Sequence, residues 1–311
     1  MIEELSLRQL SYFVSASDAG SITAASAELH VSQSAVSLGL ADLERLLGVQ
    51  LVLRQRARGL TLTAAGRELI GPARALLRLA EELRTDAGEL GNALRGRLVV
   101  GCFQTISPFV LPHLLDSFSA AHPGVELDFV EGSLVDLQAM LADGRCEVAL
   151  LYDQDLPAAV PRETVYLTRP HVLLAPTHPL ARRPTIALHE LAGHDMIMLD
   201  FPPSLHHFTS LLTAAGVAPR IRHRSVNFET VRSLVARERG FSLLIQRPLV
   251  EVSYEGRPLV TRPVADEVEP TAVVLAWPQS PSTDRSARPT RPTRRARAFA
   301  DHCHRALRDP G

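Results

Sequence analysis

The sequence contains no lysine, so arginine must supply almost every full positive charge that meets a phosphate or a carboxylate. Cysteine is scarce, with three residues in 311, which argues against a disulfide framework and fits a reducing cytoplasm. No uninterrupted apolar run of about 18 residues occurs, and no apolar segment follows the N-terminus, so we expect neither a membrane span nor a signal peptide. The formal net charge is −1, so any grip on nucleic acid must be local.

The common catalytic motifs are also missing. No nucleophile elbow, phosphate-binding Gly-rich loop or dinucleotide fingerprint occurs. The HExxxH run from His189 to His194 resembles a zinc-protease motif, but its histidines are five residues apart and diverge by about 140° on a helix. Neighbouring histidines at 206–207 and 302–304 do not converge on a helix either. We therefore expect no enzymatic activity, no metal site and no bound cofactor.

What the sequence does contain is a short helical pair between Ser21 and Gly48. Ser21 and Ser32 are placed to cap its two helices, Val31 to fill the turn, and Gly48 to end the second helix. The second helix has an apolar inner face made of Val36, Leu40, Leu43 and Leu47, and an opposite face made of Gln33, Ser34, Ser37 and Leu38. This pattern is typical of a helix-turn-helix that enters the major groove of DNA. A helical hairpin inside a protein core is the alternative.

The flanking segments complete a larger unit. Ser6 and Gln9 form a capping box that starts a preceding helix with an apolar face. After Gly48 the pattern predicts a strand over residues 49–53, an arginine-rich tip with a glycine, and a returning strand over residues 60–62. Such a hairpin is a wing.

The run from Leu7 to Gly66 resembles the winged helix-turn-helix of LysR-type transcriptional regulators. The matching pieces are LRQLSYFVSASDAGSITAASAELHVSQSAVS, LERLLGVQLVLR and LTLTAAG. The resemblance implies sequence-specific binding to double-stranded DNA at a promoter dyad site. The expected DNA contacts are Ser21, Ser32, Gln33, Ser34, Ser37, Leu38, Arg54, Arg56 and Arg58. Many family members carry a longer polar or basic side chain where this chain has Leu38 and Gly39.

Thr63 is placed to cap a long helix over residues 64–92. Leucines recur in it every seven residues from Leu69 to Leu90, each followed four residues later by alanine or leucine, which is the seam of a coiled coil. A helix packed on its own domain is the alternative. The resemblance implies a linker helix that pairs two protomers into a homodimer, pairing of dimers into a homotetramer, and contact with RNA polymerase.

Strand and helix patterns alternate from residue 98 onward, which predicts βαβαβ units, a parallel sheet and an α/β fold class for this part. The order resembles the two-lobed, periplasmic-binding-protein-like effector domain of the same family. We predict a winged helix-turn-helix over residues 1–62, a linker helix over 63–94 and an effector domain over 95–311. Lobe I would comprise about 97–168 plus 268–311, and lobe II about 169–267.

Ligands in such sheets bind beyond the carboxyl ends of the strands, here between the lobes. Residues at these ends are our candidates for binding a small-molecule effector: Thr105, Ser107, Ser133, Tyr152, Asp153, Phe201, Ser204, Asn227, Phe228 and Gln246. Several of these residue types are also ordinary helix caps.

Two other functions remain open at this stage. A transport-type solute-binding protein would account for the lobes, and a metal-dependent enzyme would use the histidines. The Pro- and Arg-rich segment 278–297 reads as a solvated loop, with a second DNA contact as the alternative.

Overall fold

The structure, a computed structural model, describes residues 5–55, 59–88, 94–154, 156–202, 204–278 and 292–307. Its N-terminal unit comprises α1 (Leu7–Ala19), α2 (Ile22–Glu28), α3 (Gln33–Leu47), β1 (Val52–Gln55) and β2 (Gly59–Leu62). The three helices bury one apolar core that includes Phe13, Ala25, Val36 and Leu40. Because α1 packs on both other helices, α3 is held rigidly with one face outward.

The predicted caps of this unit are confirmed. Ser6 and Gln9 form the capping box of α1, Ser21 caps α2, and Ser32 caps α3. Two details were wrong. Leu47 is 39% exposed because it lies in the last turn of α3, beyond the reach of α1. The first wing strand begins at Val52 rather than at residue 49.

Gly39 lies where α3 crosses Tyr12 of α1. A Cβ atom on Gly39 would lie 2.5 Å from Cδ2 of the tyrosine ring. Glycine lowers helix propensity by about 1 kcal/mol relative to alanine, and the close approach of the two helices explains why it is needed here.

Helix α4 (Ala64–Gly88) follows the wing. Oγ1 of Thr63 accepts the N–H of Gly66 at 2.9 Å, as expected for its cap. Ile70 and Ala73 are buried against the N-terminal core, whereas Leu76, Leu79 and Leu83 are 44%, 62% and 71% exposed. The helix thus has one face packed within the protomer and one free apolar face. The continuation predicted to residue 92, with Leu90, falls among residues 89–93, outside the described part.

The next unit contains a five-stranded sheet in the order β4-β3-β5-β12-β6. Its strands are β3 (Gly96–Phe103), β4 (Val125–Gly132), β5 (Val148–Tyr152), β6 (Arg162–Thr168) and β12 (Thr271–Ala276). The helices packed with it are α5 (Ser107–Ala121), α6 (Leu134–Ala142) and α9 (Arg294–Ala306).

Within this sheet, the predicted parallel pairing is found for β4, β3 and β5. Strand β12 pairs antiparallel with both β5 and β6. It reaches the sheet after the chain has passed through the second lobe, so it enters from the opposite direction. Strand β6 was not predicted.

The second lobe begins at β7 (His171–Leu174), which lies between β10 (Ser242–Leu244) and β11 (Val260–Pro263) in an antiparallel sheet. Strands β8 (Asp195–Leu199) and β9 (Arg220–Ser225) pair parallel, and a bridge from Met196 to Phe241 joins them to the segment before β10. The helices are α7 (Ser204–Ala214) and α8 (Phe228–Ala236). This observed architecture confirms the predicted fold class, while the exact domain and lobe boundaries stay predictions.

Candidate DNA-reading surface and effector cleft

The N-terminal half of α3 presents the predicted DNA-reading residues on one outward face. Ser32, Gln33 and Ser34 are exposed, Ser37 is half-buried, and Leu38 is 65% exposed. Oγ of Ser32 accepts the N–H of Ala35 at 3.1 Å, so this serine is occupied as a cap. Within the described residues no acidic side chain lies in the first turn of α3, which leaves the helix N-terminus favourable for a phosphate.

Ser21 lies at the start of α2, where its side chain accepts the N–H of Ala24 at 3.4 Å. Helix α2 braces α3 across a turn in which His30 has a positive φ of 54°. Such a conformation is uncommon for a residue other than glycine, and the sequence pattern did not reveal it.

The wing is joined to α3 by a side chain that sequence reasoning missed. Oε1 of Glu44, in α3, accepts the N–H groups of Leu51 at 2.7 Å and Val52 at 3.1 Å. On the other strand, the N–H of Leu60 donates to the carbonyl of Gly20 at 2.8 Å. The wing therefore has a defined position relative to the recognition helix. The Arg54 side chain, Arg56 and Arg58 lie outside the described part.

Arg74 connects the DNA-reading unit to the effector unit. This side chain of α4 is buried, Nη2 contacts Asp18 of α1, and Nη1 donates to the carbonyl of Asp143 at 2.6 Å. Arg78, one turn later, donates to the carbonyl of Gly144 at 2.9 Å. The two units are thus in direct contact along α4, which sequence reasoning had not anticipated because the partners lie more than 50 residues away.

A cleft of about 1770 Å³ opens between the two lobes. Four of the predicted effector residues line it: Thr105, Asn227, Phe228 and Gln246. Phe109 at the start of α5 and Phe228 at the start of α8 meet across it, with ring centroids 5.5 Å apart. The N-terminal ends of two helices, one from each lobe, therefore face the same cavity.

A buried polar network lies behind this wall. Nε2 of Gln246 donates to the hydroxyl of Tyr152 at 2.9 Å, which ties the second lobe to the first. Burial raises the pKa of Tyr152 to about 12, and hydrogen bonds with Thr105 and Gln246 partly oppose that shift. Tyr152 is therefore neutral at physiological pH and supports the cleft from behind.

The other predicted effector residues do not line the cleft. Ser133 caps α6 in a capping box with Asp136, and Asp153 pairs with Arg162 at 2.5 Å. Phe201 packs on Phe103 with ring centroids 5.4 Å apart. Ser107 and Ser204 are buried in the first turns of α5 and α7. These roles are structural because a strand end that precedes a helix needs a cap or a buried small residue as often as a ligand contact.

The cleft also has walls that the sequence pattern did not reveal. The segment from residue 246 to 255 forms one side of the cleft. Its sequence has no apolar periodicity that would have predicted this position. Arg232 of α8, 3% exposed, holds this segment: its Nε donates to Glu229 at 2.9 Å and its Nη2 to the carbonyl of Val252 at 2.6 Å.

The three cysteines are free and buried. Burial raises the pKa of the Cys146 thiol to about 12, and it also raises the pKa values of Cys102 and Cys303. All three are therefore protonated and poorly reactive in this fold.

Among the described residues no group of three or more His, Cys, Asp or Glu side chains is arranged to hold a metal ion. The segment with His189 forms a short 3₁₀ turn (Leu188–Leu191), so HExxxH is not a continuous helix here. No helix within the described ranges is long and apolar enough to cross a membrane.

A winged helix-turn-helix joined by a long helix to a two-lobed binding domain defines a DNA-binding transcriptional regulator. Residues 7–67 match the model of the bacterial regulatory helix-turn-helix protein, lysR family, and residues 91–308 match the LysR substrate binding domain. The chain belongs to the LysR family of transcriptional regulators.

Known members of the family show the same organisation. The chain is 35% identical to HinK, a LysR family regulator from Pseudomonas aeruginosa, with a TM-score of 0.63 over 98% of this chain and 99% of that chain. It is 29% identical over 247 residues to the hydrogen peroxide-inducible genes activator of Dickeya chrysanthemi, covering 77% of this chain and 79% of the relative. A full-length OxyR variant from Pseudomonas aeruginosa, 24% identical, shares the fold with a TM-score of 0.78 over 97% and 98% of the chains.

Proposed function

We propose that this regulator reads the DNA sequence with the outward face of α3 and contacts the DNA backbone with its wing. The observation that carries this proposal is the exposure of Gln33, Ser34 and Leu38 on one face of a helix braced by α1 and α2. Ser37 adds a contact from the same face, and Ser21 and Ser32 contribute from the helix starts. Arg54, Arg56 and Arg58 would contact phosphate or the minor groove, because no lysine is present to do so.

Pairing of two protomers through α4 is part of the proposal. Leu76, Leu79 and Leu83 recur at spacings of three and four and leave an apolar face uncovered within the protomer. Pairing along this face would hold two copies of α3 in a fixed relation, as reading a dyad site requires. Assembly into a homotetramer and contact with RNA polymerase are further parts of the proposal, supported by family membership.

A small-molecule effector in the interlobe cleft would regulate DNA binding, with no other cofactor. Thr105, Asn227, Phe228 and Gln246 support this assignment because both lobes contribute to one cavity. The effector can shift the protein only by its differential affinity for two arrangements of the lobes. We propose no catalytic activity and a cytoplasmic location, where the DNA target is found.

A thiol-based peroxide response is not favoured for this chain, although one relative is named for peroxide induction. A sensing cysteine has to be an accessible thiolate. Cys102, Cys146 and Cys303 are all buried, and burial raises their pKa values.

The test is a fluorescence-polarisation titration against the DNA immediately upstream of the protein's own gene, beside scrambled DNA of equal length, at two salt concentrations. We expect preference for the native sequence and an affinity that falls steeply with salt. Gln33→Ala should reduce the preference, whereas Arg56→Ala should weaken binding to both DNAs alike. Unchanged preference in Gln33→Ala would show that α3 is not the reading element, and absence of binding at low salt would overturn the proposal.

A further inference from the structure

The rim of the interlobe cleft is apolar and exposed to solvent. Six large hydrophobic side chains surround the opening: Leu167, Val226, Leu249, Val250, Val252 and Tyr254. Leu249 is 98% exposed and Tyr254 is 90% exposed. Clusters of this kind are unfavourable in water and mark sites where an apolar partner binds.

The interior of the cleft is apolar as well. Phe109 and Phe228 meet across the cavity, and Tyr166 lines it beside them. The volume of about 1770 Å³ exceeds the range of roughly 300–1,000 Å³ that is usual for small-ligand pockets. The cleft therefore has room for a ligand body much larger than a single aromatic ring.

Among the described residues that line the cleft, one arginine has no carboxylate partner. Three of its arginines form ion pairs, namely Arg232–Glu229, Arg237–Glu255 and Arg247–Glu251. Arg169 is different: in the part of the chain that the structure describes, its Nη1 donates to the carbonyl of Val268 at 2.9 Å and to no carboxylate. Its guanidinium keeps further donors for an anion.

The N-terminal ends of α5 and α8 face the cleft, and both favour a negatively charged ligand. Asn227 caps α8, and among the described residues no side chain caps α5. Helix N-termini carry positive partial charge that stabilises a nearby anion. Buried Thr105 and Gln246 add polar groups to the same wall.

We propose that the cleft binds an amphipathic carboxylate: a long hydrocarbon body held by the apolar rim and the aromatic floor, with its carboxylate on Arg169. A purely polar anion would leave the rim exposed, and an uncharged hydrocarbon would leave the Arg169 donors without an anion. The inference rests on the proposed function only in treating this cleft as the effector site.

The direct test is isothermal titration calorimetry of the full-length protein with dodecanoate below its micelle concentration. Two further probes separate the two features of the ligand, because 1-dodecanol keeps the chain without the charge and acetate keeps the charge without the chain. We expect saturable binding of dodecanoate at one site per protomer, at least tenfold weaker binding of dodecanol, and no detectable binding of acetate.

Variants then assign each feature to its residues. Arg169→Gln should weaken dodecanoate binding about tenfold, the loss expected for a hydrogen bond to a charged group, and leave dodecanol binding unchanged. The double variant Leu249→Ser with Tyr254→Ser should weaken both C12 probes. These side chains are almost fully exposed, so the fold tolerates the change. Arg182→Gln and Val135→Ser, exposed and away from the cleft, are the matched controls and should bind like the wild type.

Equal affinity for dodecanoate and dodecanol in the wild type would overturn the proposal, as would unchanged binding in the Leu249/Tyr254 variant or no binding of either probe. The titration against DNA stays independent of these results. If DNA is bound specifically while dodecanoate is not, the ligand class is wrong and the regulator remains. If dodecanoate binds and DNA does not, the ligand class stands and the proposed function fails.

Discussion

Leu38 is an apolar residue, 65% exposed, on a face whose other members, Gln33, Ser34 and Ser37, are polar. The chemical group in the major groove that suits such a side chain is the C5-methyl group of thymine. This pairing would give the protein base discrimination at a position where a polar side chain would read a hydrogen-bonding edge.

We predict that at least one thymine of the half-site can be identified by replacing it with deoxyuridine. Removal of one methyl group should weaken wild-type binding about fourfold, the worth of one buried methylene-sized group. Leu38→Ala should bind the deoxyuridine-containing DNA no more weakly than it binds the thymine-containing DNA. Polarisation titrations of the four combinations measure this coupling, and equal losses in both proteins would place Leu38 outside the base contacts.

A second prediction at the residue scale concerns the stability of Gly39→Ala. Helix propensity alone would make this variant more stable, whereas we expect it to be less stable. Gly39→Ala should lower the free energy of unfolding of the N-terminal unit by about 1–3 kcal/mol, because its Cβ would press on the Tyr12 ring and overpack the α1–α3 contact. Thermal unfolding followed by circular dichroism measures the change. Gly48→Ala is unsuitable as a control because φ is positive there. Ala41→Gly, exposed in the same helix, measures helix propensity without the packing effect and should lower stability by about 1 kcal/mol. A more stable Gly39→Ala protein would contradict the packing argument.

At the scale of elements, α4 has one face inside the protomer and one outside it. The outer face should pair two protomers, and Leu79 lies at its centre with 62% exposure. If α4 pairs two protomers as proposed, Leu79→Glu should convert that dimer to monomer, because two carboxylates would then meet in an apolar seam. Sedimentation equilibrium measures the mass. Val135→Glu, at a position on α6 that is also well exposed (74%), should sediment like the wild type; a Leu79→Glu dimer would exclude this face as the interface.

A separate prediction concerns Arg74, on the inner face of α4, which joins the N-terminal unit to the effector unit. Gly71, one turn earlier, allows the helix to approach the end of α6 so closely that a Cβ would collide with the carbonyl of Ala142. Arg74→Met should remove the hydrogen bonds to Asp18 and Asp143 and loosen the two units by about 1.5–3 kcal/mol.

Small-angle X-ray scattering should detect that loosening as a larger radius of gyration. Arg67→Met is the matched control, because Arg67 also lies on α4 but donates to the carbonyl of Leu62, within the N-terminal unit. Identical scattering of Arg74→Met and the wild type would mean that the remaining contacts, the packing of Gly71 and the hydrogen bond from Arg78 to Gly144, hold the units together.

At the scale of the whole molecule, stability should depend on buried imidazoles. Burial lowers the pKa of His171 from its ordinary 6.5 to about 3, with Arg247 and Arg232 adding to the shift. Between these two values the unfolded chain binds a proton that the folded chain does not, so stability falls as the pH falls from about 6.5 toward 3. The slope from one such group is about 1.4 kcal/mol per pH unit.

Urea unfolding between pH 7.5 and 5 measures this dependence. Burial also lowers the pKa values of His178, His207 and His302, so they act in the same direction. His171→Leu should have a shallower dependence than the wild type even if its stability at pH 7.5 differs. An unchanged slope would show that His171 is protonated without cost in the folded protein.

The sequence by itself determined the helices of the N-terminal unit and most of the later elements in their order, although it did not reveal β6. Caps such as Ser6, Ser32 and Thr63, the glycine stop at Gly48 and the apolar periodicities act within a few residues, so they can be read along the chain. The family followed from the same local patterns, because the run from Leu7 to Gly66 is continuous.

Only the tertiary structure decided which strand-end residues face the cleft and which merely cap a helix. Thr105 and Gln246 line it, whereas Ser133 and Asp153 have local partners, and both kinds look alike in a sequence. The antiparallel return of β12, the contact of Gly39 with Tyr12 and the reach of Arg74 to Asp143 join residues far apart along the chain. Such long-range contacts depend on how the elements pack, and no spacing within the sequence records them.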